Sequence, residues 1–194
     1  MAVQSTMMPL GTKAPEFELT DTVTGNKVAN TDFSDKNALL VMFICNHCPY
    51  VKHVRSHLAQ LGRDFQDSDL GIVAISSNDI EAYPDDSPEA MKVEAKTYGY
   101  LFPYLFDEDQ SVAAAYTAMC TPDFFLFGPD RELVYRGRLD DSRPDSGIPV
   151  TGEDLRAAIK AVLNDEPVSE DQSPSMGCSI KWQDGRTPAY FGAR

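Results

Sequence analysis

Two cysteines separated by two residues are the side chains of this sequence best suited to covalent chemistry. They occur in the segment Cys45-Asn46-His47-Cys48-Pro49. A thiolate is a strong nucleophile, and a second thiol at this spacing is within reach to close a disulfide. His47 lies between the two thiols and, when protonated, would favour a thiolate through its charge. The segment predicts thiol–disulfide redox chemistry, with Cys45 as the attacking thiol and Cys48 as the resolving thiol.

The sequence on either side of this segment indicates how the cysteines are positioned. The run from 38 to 44 is unbroken and apolar, which is typical of a strand buried on both faces. The residues after Pro49 carry apolar side chains at steps of three and four, the pattern of an amphipathic helix. The cysteines therefore lie between a strand and a helix N-terminus, where free N–H groups and the helix dipole stabilise a thiolate. We expect the pKa of Cys45 to fall below that of an ordinary cysteine.

The same spacing could also supply half of a structural zinc site. Such a site needs four ligands, and the sequence has no second pair of cysteines at this spacing. Redox chemistry is therefore favoured, and no metal or other cofactor is implied. A metal-binding module using Cys45, Cys48 and His47 or another cysteine is kept as an alternative hypothesis.

Composition excludes several classes of protein. The chain has 194 residues, 42% of them hydrophobic, and a net charge of −13. This acidic balance argues against nucleic-acid and anionic-membrane partners, which both require a basic surface. The N-terminus lacks the basic start and apolar run of a secretory signal, and no segment approaches the ~20 apolar residues of a membrane span. We expect a soluble, cytoplasmic protein.

Hydrophobic patterning predicts one α/β domain followed by a tail. Residues 12–33 read as a β-rich lead-in, and the second buried strand over 70–76 completes a parallel strand–helix–strand unit. Further elements are predicted as helices at 88–98, 111–119 and from 151, and as a hairpin over 124–136. From 165 to 175 the chain has little to bury, and apolar residues return at 176–182. The sequence thus predicts a domain over 1–164 and a tail over 165–194 that docks on it.

A second motif, Cys120-Thr121-Pro122-Asp123, stands just before the strand that begins the hairpin. Together with the C-x-x-C segment and the order of elements over about 30–163, it resembles the thioredoxin superfamily. The β lead-in, the insertion at 77–116 and the hairpin resemble its redoxin branch, the alkyl hydroperoxide reductase/thiol-specific antioxidant (AhpC/TSA) type. The segment CNHCPYVK, with GCSIKW near the C-terminus, resembles a poorly characterised group of thioredoxin-like proteins within that branch.

This resemblance implies a fold and a set of roles. The fold would be a thioredoxin-like central mixed β-sheet flanked by helices, with an N-terminal β extension and a C-terminal tail. Cys45 would be the nucleophile and Cys48 the resolving thiol. Pro122 would be a cis-proline against the cysteines, and the backbone of Thr121 would pair with a bound peptide or mixed disulfide. His47 matches the histidine of disulfide isomerases and of strongly oxidising periplasmic oxidants.

The implied activity is that of a thiol-disulfide oxidoreductase. Its substrate would be a protein or small-molecule disulfide, and a separate reducing or oxidising partner would complete the cycle. Thioredoxins carry a tryptophan before the first cysteine and a buried acid in the preceding strand, whereas this chain has Ile44 and Leu39 there. Asp123 is the candidate to replace the missing acid as a proton relay.

A thiol peroxidase that reduces hydroperoxides is the alternative enzyme. Peroxiredoxins use a Pro-x-x-x-Thr-x-x-Cys motif, and Ala38 and Met42 stand in the Pro and Thr places here. This departure counts against an efficient peroxidase. Cys120 and Cys178 are candidates for further redox thiols, because Cys120 should lie near the C-x-x-C segment and Cys178 belongs to the docking tail. Their other interpretations are a small buried residue and a tail anchor.

Overall fold

The computed structural model describes residues 2–192. The strands are β1 (Ala2–Gln4), β2 (Glu18–Asp21), β3 (Lys27–Ala29), β4 (Ala38–Phe43), β5 (Leu70–Ser76), β6 (Tyr104–Phe106), β7 (Cys120–Thr121), β8 (Asp123–Phe127), β9 (Leu133–Gly137) and β10 (Met176–Ser179). The α-helices are α1 (Pro49–Phe65), α2 (Pro88–Tyr98), α3 (Ser111–Ala115) and α4 (Glu153–Leu163). Among the helices of this described range, none has the length and apolar character that a bilayer crossing requires. Residues 1, 193 and 194, the outer ends of the predicted domain and tail, lie outside the described residues.

Seven strands form the central sheet, in the order β3-β2-β6-β5-β4-β8-β9. β4 and β5 are parallel, with Ala38 opposite Leu70 and Phe43 opposite Ile75, as the predicted strand–helix–strand unit requires. β8 runs antiparallel to the other edge of β4 and places Asp123 opposite Phe43. Because β4 is paired on both edges and all of its residues are buried, its carboxyl end is a firm support for the residues that follow. The predicted mixed α/β sheet is confirmed.

Two apolar clusters cover the two faces of this sheet. The first contains Met42, together with side chains of α1, α2 and α4 such as Leu58, and it includes Cys45 and Cys48. The second contains Phe125 and residues of α3 and of the N- and C-terminal segments. Successive strand residues point to opposite faces, so the position along a strand decides which cluster a side chain joins.

Some boundaries differ from the sequence pattern for local reasons. α3 ends at Ala115 rather than Met119, because Thr117 has the left-handed φ of 49° and the Ala118 N–H bonds to Ala113 O. α4 begins after Gly152, whose φ of 69° sets the turn into the helix. α2 agrees with its sequence signals, a Ser87 N-cap and a left-handed Gly99 at its end.

The C-terminal segment contributes the middle strand of a second, three-stranded sheet in the order β1-β10-β7. Cys178 of β10 lies opposite Ala2 on one side and Thr121 on the other. Both pairings are antiparallel. β10 therefore runs along the short strand that leads into Pro122.

Candidate active site

Cys45 and Cys48 lie in the strand-to-helix connection that the sequence predicts. β4 ends at Phe43, and Cys48 is the residue immediately before Pro49, the first residue of α1. Both residues are buried, with 1% of Cys45 and none of Cys48 exposed. Both are free thiols. The two cysteines therefore lie at the carboxyl end of β4, at the edge of the central sheet, and are covered from solvent.

The segment Thr121–Pro122 lies directly against the two thiols. The peptide bond between Thr121 and Pro122 is cis. The Cys45 Sγ atom lies 3.2 Å from Thr121 Oγ1, and the Cys48 Sγ atom lies 3.2 Å from the Thr121 carbonyl oxygen. One residue therefore contacts both sulfurs, through its side chain and through its backbone. The structure brings Cys45, Cys48, Thr121 and Pro122 together, as the resemblance implies.

A buried carboxylate, Asp86, holds the residues between the cysteines. Its Oδ1 atom accepts the backbone N–H of Asn46 at 2.7 Å and that of His47 at 3.1 Å. Its Oδ2 atom lies 2.5 Å from His47 Nδ1 and accepts from Asn78 Nδ2 at 2.8 Å. Burial raises the pKa of Asp86, but the hydrogen bonds from His47 and Asn78 outweigh it and hold the pKa below its usual range. Asp86 is therefore ionised, and it orients the loop.

The same contacts change the role expected of His47. An ionised carboxylate only accepts hydrogen bonds, so His47 Nδ1 carries the proton shared with Asp86. Cys45 Sγ lies 3.9 Å from that nitrogen, which leaves at most a weak interaction with the thiol. The ring of Tyr83 stacks on the imidazole, with centroids 4.9 Å apart. His47 thus contributes mainly to the shape of the loop, whereas the sequence suggested direct support of a Cys45 thiolate.

Sequence reasoning missed Asp86 and treated 77–88 as a polar loop. The available signal is topological, since β4 and β5 are parallel neighbours and the loops after them leave the same edge of the sheet. Asn78 and Asp86 belong to the loop after β5 and therefore meet the C-x-x-C loop after β4. The Asn46 side chain makes two further hydrogen bonds in this region. Its Nδ2 donates to the Asp85 carbonyl oxygen, and its Oδ1 accepts from the Tyr104 hydroxyl.

The two thiols of the pair have opposite pKa shifts. Burial raises the pKa of Cys45 well above its ordinary value, and the nearby Asp86 carboxylate adds to this effect. The pKa of Cys48 is lowered to about 4, mainly by a hydrogen-bonding interaction with the Cys45 thiol, while one with Cys178 adds to it. The sequence suggested that Cys45 would be the thiolate. In the structure the lowered pKa is that of Cys48, the residue immediately before α1, and the raised pKa is that of Cys45.

Asp123, the candidate proton relay, lies on the other face of the sheet. It shares that face with Phe125, away from the cluster that contains the cysteines. Its Oδ2 atom is 3.6 Å from the Arg136 guanidinium, and both side chains are fully buried. Burial raises the pKa of Asp123 to about 6, while the Arg136 charge opposes the shift. Its contacts are those of a buried ion pair, and no contact joins it to Cys45.

The two remaining cysteines have different surroundings. Cys120 is fully buried, and its thiol donates to the Pro122 carbonyl oxygen at 3.6 Å. Burial raises the pKa of Cys120 well above its ordinary value, so it stays a thiol. Cys178 is partly exposed and packs against the cluster that contains Cys45 and Cys48.

One group of side chains has the geometry to hold a metal ion. Ligand atoms of Cys45, His47 and Asp86 all lie within 4.8 Å of one another. Thiolate, imidazole and carboxylate together form the type of donor set that binds zinc. The site sits beside the redox pair and shares Cys45 with it.

Comparisons with known proteins show the family and the fold of this chain. The AhpC/TSA family model matches residues 10–136. An uncharacterized conserved protein from Geobacillus kaustophilus has a solved structure that is similar over 95% of this chain and 97% of its own, with 56% identity and a TM-score of 0.93. The chain is 29% identical to the thiol-disulfide oxidoreductase ResA of Bacillus subtilis over 124 residues, which span 64% of this chain and 64% of that relative.

A more distant structure shows the fold alone. The thioredoxin domain of a thiol-disulfide oxidoreductase from Bacteroides vulgatus is 21% identical and has a TM-score of 0.63, over 81% of this chain and all of that domain. The fold is therefore thioredoxin-like. Since the family model covers well over half of the sequence, the chain belongs to the AhpC/TSA family.

Proposed function

We propose that this protein is a thiol-disulfide oxidoreductase that uses Cys45 and Cys48 as its dithiol. The observation that carries the proposal is the contact of both sulfurs with Thr121, each at 3.2 Å, beside a cis-proline. This arrangement holds two thiols beside the same residue, close enough to each other to form a disulfide. The relation to ResA of Bacillus subtilis supports the reaction class.

The first step is attack by Cys45 on a substrate disulfide. The Cys45 thiol loses its proton as its sulfur attacks, and the departing substrate sulfur is the group that takes up a proton. A bond forms between Cys45 and one substrate sulfur, and the other substrate sulfur leaves with the electron pair and is protonated. The product is a mixed disulfide on Cys45. In the reverse direction, the same steps oxidise a substrate dithiol.

Cys48 completes the reaction as the resolving thiol. Its sulfur attacks Cys45, the Cys45–Cys48 disulfide forms, and the second substrate sulfur leaves as a thiol. A separate dithiol or disulfide partner then returns the pair to its starting state. The cytoplasmic location expected from the sequence is part of this proposal, and trapping the redox state of the pair in intact cells tests it.

Two substitutions test the assignment of roles. Cys45→Ser should abolish reduction of an insulin disulfide or a small-molecule disulfide. Cys48→Ser should accumulate a mixed disulfide on Cys45, which mass spectrometry of acid-quenched protein identifies. Turnover by the Cys45 variant would overturn the proposal, and adducts that collect on Cys48 in the Cys45 variant would reverse the two roles.

A thiol peroxidase is the second candidate, and one contact favours it. The Thr121 hydroxyl lies 3.2 Å from Cys45 Sγ and could bond a small peroxide at that sulfur. Against it, Ala38 and Met42 of β4 are buried in the apolar cluster and supply no hydroxyl. The rate at which reduced protein consumes hydrogen peroxide separates the candidates. A rate well above that of a free thiol supports the peroxidase.

A metal-binding module is tested by titration. Zinc bound stoichiometrically by reduced protein, and lost in Asp86→Asn, would support a site at Cys45, His47 and Asp86. A redox pair that cycles fully in the presence of a chelator would count against it.

A further inference from the structure

The edge of β7 is covered by the protein's own C-terminal strand. The resemblance to thioredoxins implies that the Thr121 backbone pairs with a bound peptide or mixed disulfide. Here β10 pairs with it instead, and Cys178 stands directly opposite Thr121. Beside Pro122, residues Pro174–Met176 form one wall of a groove that encloses only about 40 Å³. β10 thus places a cysteine of this chain where a substrate cysteine would align.

The Cys48 thiol interacts both with the Cys45 thiol and with the Cys178 thiol. Cys48 Sγ contacts the Thr121 carbonyl, and Cys178 is the residue paired with Thr121 across the two strands. Cys178 also packs against the cluster that contains both redox cysteines. Of the three residues, Cys45 is 1% exposed and Cys48 is fully buried, whereas Cys178 is partly exposed. A reductant approaching from solvent therefore reaches Cys178 first.

We propose that Cys178 is a third redox residue, which exchanges with the Cys45–Cys48 disulfide and carries it to the surface as a Cys48–Cys178 disulfide. This inference rests on the proposed function, because that function forms the disulfide in the first place. It adds a route by which a buried pair reacts with an external dithiol. It also makes β10 part of the catalytic site.

The exchange needs no added oxidant. The Cys178 sulfur, after losing its proton, attacks Cys48 Sγ. A bond forms between these two sulfurs, the Cys45–Cys48 bond breaks, and Cys45 leaves with the electron pair and takes up the proton. An external dithiol then attacks Cys178 and releases Cys48 as a thiolate. The second thiol of that reductant frees Cys178 and leaves as its own disulfide, so the protein returns with three thiols.

The charges around the sulfurs favour two of these steps, the loss of the Cys178 proton and the release of Cys48. In the reduced protein, burial and the interactions with Cys48 together raise the pKa of Cys178 to about 11. Once Cys48 is in a disulfide it carries no negative charge, whereas Lys181, which lowers the pKa, is still present. Oxidation of the pair therefore makes Cys178 more nucleophilic. Because the pKa of Cys48 is low, Cys48 is also a good leaving group when an external thiol attacks Cys178.

Disulfide mapping tests the exchange directly. Reduced wild-type and Cys45→Ser proteins are treated with diamide, which oxidises a pair of thiols without being a disulfide itself, and are then quenched in acid, alkylated and digested. We expect both Cys45–Cys48 and Cys48–Cys178 peptides in the wild type, and Cys48–Cys178 alone in Cys45→Ser. Oxidised Cys178→Ser should be reduced by dithiothreitol about tenfold more slowly than the wild type, since its disulfide stays buried.

A matched variant controls for any disturbance of β10 that the substitution of Cys178 itself causes. The double substitution Cys178→Ser with Ser179→Cys moves the thiol by one residue, to the other face of the strand. It should behave like Cys178→Ser, and circular dichroism checks that both proteins are folded. Wild-type rates in the double variant would overturn the proposal.

The outcomes separate this inference from the proposed function. A wild type that forms Cys45–Cys48 while Cys45→Ser never forms Cys48–Cys178 overturns the role of Cys178 and leaves the dithiol intact. A wild type that forms no Cys45–Cys48 disulfide overturns the proposed function, and the relay with it.

Discussion

Gly177 and Thr121 are in contact so close that only glycine fits. A Cβ atom at Gly177 would stand 2.0 Å from the Thr121 carbonyl oxygen and 2.6 Å from its carbonyl carbon. No side chain can be accommodated there, because the obstructing atoms are backbone. The glycine therefore allows β10 to lie on the segment that precedes Pro122, directly above the buried thiols.

Gly177→Ala should lift β10 from Thr121 and expose the redox pair. The added methyl group cannot be relieved by a side-chain rotation, so the strand must move, at a cost of about 1–3 kcal/mol in unfolding free energy. We expect the reduced variant to react faster than the wild type with a bulky thiol reagent at Cys45 and Cys48. Kinetics of labelling followed by peptide mapping measure this.

Gly128→Ala is the matched control for that experiment. A Cβ atom at Gly128 would lie 3.4 Å from the nearest atom, Val134 Cγ1, at ordinary contact distance. Its labelling rates should equal those of the wild type. Equal rates in Gly177→Ala as well would show that β10 does not limit access to the thiols.

The reduced protein should carry one thiolate at about pH 6. The pKa of Cys48 is lowered to about 4 and that of Cys45 is raised well above its ordinary value, so one proton is lost early and the other late. Ultraviolet thiolate absorbance followed against pH measures both steps. Cys48→Ser should remove the early step, and Cys120→Ser should leave it in place. An early step that survives in Cys48→Ser would assign the thiolate to Cys45.

The strand-to-helix placement of the cysteines could be predicted because its signals are local. An apolar run, two cysteines and an amphipathic stripe follow one another between 38 and 65, and β4 and α1 form from them. The Thr121–Pro122 motif could be paired with them only through the resemblance. Nothing in the spacing of 45 and 122 shows that they meet.

Asp86 and Cys178 could not be placed by such signals. Asp86 lies among several acidic residues, and which of them points inward depends on the path of the loop after β5. β10 pairs with β7, which has only two residues, Cys120 and Thr121. Two residues are too few to show the alternation of polar and apolar side chains from which a strand is predicted. The partners of these side chains are set by tertiary contacts between distant segments.

Removal of the Asp86 charge should loosen the C-x-x-C loop. Asp86→Asn keeps the shape but loses the ionised acceptor that binds Asn46, His47 and Asn78, at a cost of about 1–3 kcal/mol at neutral pH. It should also lower the pKa of Cys45, because the Asp86 charge contributes to raising it. Urea unfolding and the thiolate titration measure the two effects.

The pH dependence of that cost has a defined sign. The pKa of Asp86 is lower in the folded protein than in the unfolded chain, so its contribution is present above about pH 4 and is lost as the pH falls through the folded value. The stability difference between wild type and Asp86→Asn should shrink on acidification. Asp85→Asn is the control, since its side chain is exposed and only its backbone carbonyl contacts the loop. A stability difference between wild type and Asp86→Asn that grows in acid would contradict the assignment of Asp86 as an ionised acceptor.

Asp123 should show the opposite dependence, without any effect on the thiols. Its pKa is raised to about 6 in the folded protein, so the native state keeps a proton that the unfolded chain loses above about pH 4. Wild-type stability should therefore fall as the pH rises from about 4 to about 6, by an amount on the order of 3 kcal/mol. Asp123→Asn removes this fall. The stability of the variant relative to the wild type should therefore rise between about pH 4 and about pH 6.

The thiolate titration of the same variant decides whether Asp123 is a proton relay. Its carboxylate faces Arg136 on the far face of the sheet, so Asp123→Asn should leave the early and late thiol steps where they are in the wild type. Asp130→Asn, an exposed carboxylate in the hairpin turn, is the control for the loss of one charge. A shift of the thiol steps in Asp123→Asn alone would restore the relay predicted from the sequence. Unchanged steps, with the altered stability profile, would assign Asp123 to the buried ion pair.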